Sequence, residues 1–79
     1  MTREEIVEKT LDTFRNVFGE VDGLTEQTSA DDIGKWDSLN HVILIQELEK
    51  AFDMKFDLFE IIEIRDVAGI VNYIFANGK

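Results

Sequence analysis

The sequence predicts an all-α fold: a small bundle of three main helices plus one short helix, with a long loop between the first and second helices. Three observations carry this. Apolar residues recur three and four positions apart in three separate segments, which gathers them on one face of a helix. The stretch 19–37 between the first two segments has no such period. The chain has no proline, so helix ends must be set by caps, glycines and loops. Residues 1–79 read as one domain. A chain this short buries only about 60% of the surface its unfolded form exposes, so the core is thin.

The first helix is expected over 3–18. Thr2 and Glu5 have capping-box spacing, in which each side chain satisfies a free backbone N–H at the helix start. Ile6, Leu11, Phe14, Val17 and Phe18 share a face, with Val7 on its flank, and Gly19 is the stop. The loop 19–37 is long for so small a domain, and loops of that length are often functional. Leu24, Ile33 and Trp36 are the residues expected to pin it to the core. The second helix is expected over 38–52, capped by Asp37 or Ser38. Leu44, Ile45, Leu48 and Phe52 form its core face. Leu39, Val42 and Ile43 gather on another side, with Gln46 and Lys50 further along. Either both sides are buried or the second is an apolar patch for a partner. Residues 57–63 form a short helix or turn. Asp66 then caps a last helix over 67–76, with Val67, Ile70, Val71, Ile74 and Phe75 facing inward, and Gly78–Lys79 frays. Phe14, Leu44, Leu48, Phe52 and Ile74 are expected to be buried, and Ser38 exposed.

Composition narrows the function. Of the 79 residues, 44% are hydrophobic and 32% charged, a globular balance, and so little chain leaves no room for a deep cleft plus a scaffold. There is no cysteine, so there is no disulfide, Cys-based zinc site or thiol nucleophile, and any thiol must come from outside. Seventeen acidic against eight basic residues give a net charge of −9. Nucleic-acid phosphate and anionic membranes would repel this surface, and basic partners would be drawn to it. The apolar runs are too short to span a membrane, and the N-terminus has no apolar signal region, so a cytoplasmic monomer is the expectation.

Enzyme constellations are sparse. His41 is the single histidine. Ser38 and His41, three apart, could meet on a helix turn, but a triad also needs an oxyanion hole and a pocket. His41 is expected at the surface or half-buried. Asp22, Asp31 and Asp32 do not have the spacing of a calcium loop. Ser38 itself sits where a loop becomes a helix, at the positive end of the helix dipole. A phosphate attached there would meet free backbone N–H groups. The plain alternative is that Ser38 is only an N-cap.

The run Asp37-Ser38-Leu39 opening a second helix after a long loop, in an acidic cysteine-free chain, resembles the acyl carrier protein family. Thr28, Ile33 and Gly34 before the motif and Leu48-Glu49 through Phe52 after it extend the resemblance over nearly the whole chain. It implies an acyl-carrier-like bundle in which Ser38 accepts 4′-phosphopantetheine from coenzyme A. A separate magnesium-dependent phosphopantetheinyl transferase makes the attachment. Asp37 matches the aspartate that helps the transferase hold its metal and orient the serine, and Leu39 the apolar residue beside the arm. The arm ends in a thiol on which acyl groups ride as thioesters, brought and taken by acyl-loading and acyl-transfer enzymes.

The chain departs from the family's fatty-acid carriers on the second helix. Asn40 and Ile43 stand where acids are common, Gln46 replaces an apolar residue and Lys50 adds a positive charge. The nearest acids are Glu47 and Glu49, then Asp57, Glu60 and Glu63. By family analogy this points to a carrier of a specialised lipid, polyketide or polysaccharide-linked pathway. The expected docking surface is Leu39, Val42 and Ile43, with His41 and Gln46 at its rim; the alternative surface is the short segment around Phe59, Glu60 and Glu63. The competing functions are an aminoacyl or peptidyl carrier, and an acidic helical adaptor that docks without being modified.

Overall fold

The computed structural model of the chain describes residues 1–77. Four α-helices follow one another: α1 Arg3–Phe18, α2 Ser38–Phe52, α3 Leu58–Ile61 and α4 Val67–Asn77. A single 3-10 turn, Ala30–Asp32, interrupts the long loop. The described residues form no strand, and no helix among them is long and apolar enough to cross a membrane. The expectation that Gly78 and Lys79 fray lies outside the described residues.

α1 begins as its sequence dictates. Thr2 Oγ1 accepts from the Glu5 N–H at 3.2 Å, and Glu5 Oε1 accepts from the Thr2 N–H at 2.7 Å. It ends at Gly19, whose φ of +78° suits a residue without Cβ and whose N–H donates to the Arg15 carbonyl at 2.9 Å. α1 packs against both α2 and α4. The core between them is built from Ile6, Phe14, Phe18, Leu44, Ile45, Leu48, Val67, Ile70, Val71 and Ile74, with Ile33, Trp36, Phe56 and Ile61 brought in from outside the three long helices. Leu11, Val17 and Leu24 are half-buried at its edge.

The loop 19–37 is stitched down by backbone pairing that no sequence period announces. The Ala30 N–H donates to the Arg65 carbonyl at 2.8 Å, and the Val67 N–H donates to the Thr28 carbonyl at 2.9 Å. This isolated bridge, centred on Ser29 and Asp66, holds the middle of the loop against the start of α4. Arg3 adds a polar tie, reaching Glu26 in the loop and Asn72 on α4. Asp57 caps the short α3 by accepting from the Phe59 N–H at 3.0 Å, and Asp66 accepts from the Gly69 N–H in the first turn of α4.

Two expected core residues are corrected. Phe52 is only half-buried and Phe75 is 50% exposed. Both have the right phase, but both lie in the last turn of their helix at the same end of the bundle. There a cavity of about 460 Å³, lined also by Met1, Ile6, Met54 and Ile74, leaves them uncovered. The Lys9 ammonium sits 5.3 Å above the Phe52 ring instead.

Among the described residues three ion pairs form, all at the surface: Arg3–Glu26, Arg15–Asp12 and Lys50–Glu47. Against 17 acidic residues this leaves strong self-repulsion. Salt screens such repulsion over about 10 Å at 0.1 M. Added sodium chloride is therefore expected to raise the melting temperature at neutral pH. A melting temperature flat from a few millimolar salt upward would contradict this.

Candidate functional site

The junction of the long loop with α2 is shaped by local hydrogen bonds. Asp37 is the N-cap: its backbone is extended, and Oδ1 accepts from the Asn40 N–H at 2.9 Å. The Asn40 side chain donates back to the Lys35 carbonyl at 2.7 Å, and the Asp37 N–H donates to the same carbonyl at 3.0 Å. Capping is thus done by Asp37, and Ser38 is the first helical residue. Ser38 is exposed, and no hydrogen bond engages its hydroxyl among the described residues. The Asp37 side chain thus meets the positive end of this 15-residue helix, and the first turn itself adds no acidic side chain.

An aromatic cluster fixes the junction from beneath. The Trp36 ring lies 5.0 Å from Phe14, edge to face, 6.1 Å from Phe18 and 5.8 Å from His41. Trp36 Nε1–H donates to His41 Nδ1 at 2.8 Å, and His41 Nε2 lies 3.1 Å from the Ile61 carbonyl oxygen. An indole N–H can only donate and a carbonyl can only accept. The ring is therefore neutral, with its proton on Nε2. Burial pushes its pKa below the ordinary value; the Ile61 carbonyl works against this, and the nearby Arg65 charge adds to it.

His41 is the main correction to the expected site. It is 0% exposed, neither at the rim of a docking surface nor at the surface at all. At about 100° per residue it falls about 160° from Leu39 but only about 20° from Leu48, so the helical period itself points it into the core. Its polarity is reconciled with that place by two partners distant in the chain, Trp36 and Ile61. With both nitrogens engaged, His41 is not a base for Ser38.

The outward side of α2 is divided. Leu39 is 71% and Ile43 41% exposed, while Val42 is half-buried. Val42 lines a crevice of about 190 Å³ with Ile45, Gln46, Glu49, Phe56 and Leu58. Gln46 remains exposed at its mouth. Phe59, 89% exposed on α3, is the apolar residue of the alternative surface, absent from the leading docking set. Its signal was the short segment Leu58-Phe59-Glu60-Ile61-Ile62, whose apolar residues outnumber what one helical turn can bury.

Compared with family models, with curated proteins and with solved structures, the chain finds no match.

Proposed function

We propose that the chain is an acyl carrier, with 4′-phosphopantetheine attached through the Ser38 hydroxyl and acyl groups held as thioesters on the arm. The carrying observation is that Asp37, not Ser38, caps α2. The Ser38 hydroxyl is exposed and uncommitted, so its presence is not accounted for by capping. A phosphate joined to it would lie at the positive end of α2, in a favourable field. Leu39 stands open beside it, and the crevice between α2 and α3 offers apolar walls to a cargo. The arm also brings the thiol that a cysteine-free chain lacks. In this reading the helices form an acyl-carrier-like bundle, and the chain is acted on by a phosphopantetheinyl transferase and by acyl-loading and acyl-transfer enzymes. Incubation with coenzyme A, magnesium and a promiscuous transferase tests it: the intact mass should rise by one arm.

Partners that receive the arm must cover Leu39 and Ile43, one turn apart beside Ser38. Burying such side chains at a contact contributes roughly 1.5–3 kcal/mol each at most. Ile43→Glu is expected to fold, because the side chain is exposed, and to slow acyl transfer by a partner with an apolar docking site by about tenfold or more, from about 1.4 kcal/mol of lost contact. Transfer kinetics against the wild type check this. Normal transfer would move the docking surface to α3, around Phe59, Glu60 and Glu63. The second reading, an adaptor that only docks, is favoured by the exposed Leu39 and Phe59 themselves, and it requires that Ser38 stay unmodified.

A further inference from the structure

We propose that His41 is a proton-sensitive clasp: neutral, it holds the end of α3 against α2, and its protonation frees α3 and widens the crevice between them. The geometry leaves the ring one way to bind. Nδ1 must accept from Trp36 and Nε2 must donate to Ile61. A proton added at Nδ1 would face the indole N–H, donor against donor, across a 2.8 Å gap. That contact must break, and a ring that turns away from Trp36 draws Nε2–H off the Ile61 carbonyl. The Ile61 carbonyl favours the charged form, but burial outweighs it. α1 lends only Phe14 and Phe18, through Trp36. The first turn of α2 has no acid, and the connection between α3 and α4 brings Arg65, a second positive charge.

α3 is the element able to respond. It has four residues and buries one side chain, Ile61, the residue whose carbonyl His41 holds. The same carbonyl accepts from the Ile64 N–H at 3.0 Å, so release leaves the turn after α3 intact while loosening its hold on α2. Leu58, on α3, walls the crevice whose other residues lie on α2 and at Phe56. Moving α3 therefore changes that space directly. The direction with pH follows from the depressed pKa. The unfolded or open chain takes up the proton near 6.5, the closed chain only below it. The closed form is thus fully favoured above pH 6.5 and loses ground as the pH falls below it.

The clasp needs no arm on Ser38, and it is read on the unmodified chain, so its failure would leave the carrier proposal untouched. One histidine and one tryptophan make the reading unambiguous. Nitrogen-15 spectra recorded from about pH 7.5 to about pH 5 span the region where a histidine titrates. They should show the Nε2–H tautomer at the upper end and a ring midpoint below 6.5. The Trp36 indole and the Ile61 and Ile62 amides should shift with that same midpoint, while the amides of α1 and α4 stay in place. In His41→Gln, whose amide can still donate to the carbonyl but does not titrate, the α3 shift should vanish. The proposal is overturned if the indole and α3 do not follow the ring, if all four helices melt together with it, or if the transition persists in His41→Gln.

Discussion

Trp36→Ala is expected to bring the chain to the edge of unfolding. Trp36 is 3% exposed and touches Phe14, Phe18 and His41 at once. Truncating a buried aromatic of this size costs about 3–5 kcal/mol. The change also strips His41 Nδ1 of its donor, and an orphaned buried acceptor costs about 1–3 kcal/mol more, in part overlapping the first term. At roughly 0.05–0.15 kcal/mol per residue, a chain of 79 residues holds only about 4–12 kcal/mol in all. Trp36→Phe separates the two effects. It keeps most of the packing and loses the N–H, so it should cost about 1–3 kcal/mol. Urea unfolding followed by far-ultraviolet circular dichroism measures both, since the sole tryptophan fluorophore is removed. A Trp36→Ala chain within about 1 kcal/mol of the wild type would deny the cluster its role as the platform under Ser38.

What the sequence told about the fold follows the range of the interactions involved. The spans of α1 and α2, 3–18 and 38–52, are as the pattern predicts, because capping boxes, glycine stops and helical periods act within a few residues. The pinning of the loop by Ile33 and Trp36 was legible from their type. The stitch of Thr28 and Ala30 to Val67 and Arg65 was not, since it is backbone pairing between segments far apart in the chain. Phe52 and Phe75 show that a period gives the direction of a side chain and not its depth: both point inward and both run out of neighbours at the bundle's end.

The site was legible in the same partial way. Asp37 and Ser38 are both good capping residues, so type alone leaves the cap between them, and the bond from the Asn40 N–H decides it. The apolar patch of Leu39 and Ile43 emerged from the two-sided pattern of α2, but that pattern could not show that Val42 turns into the crevice. His41 was misplaced because its polarity outweighed its phase. Only Trp36 and Ile61, brought near by the fold, explain a buried imidazole there.

Ser38→Ala should abolish attachment altogether. On the carrier account the oxygen that would bond to the arm is removed, and no residual attachment is expected elsewhere, because the chain has no cysteine and its other serine, Ser29 before the 3-10 turn, has its hydroxyl on the Asp32 carboxylate. The fold should be indifferent, since Ser38 is exposed, Asp37 provides the cap, and alanine is the better helix former. Both chains are to be incubated with coenzyme A, magnesium and a promiscuous transferase, and the site of any added mass is to be located by peptide fragmentation. The carrier account predicts one phosphopantetheine per wild-type chain, on Ser38, and none on Ser38→Ala. An unmodified wild-type chain, or equal labelling of the alanine variant, would contradict it.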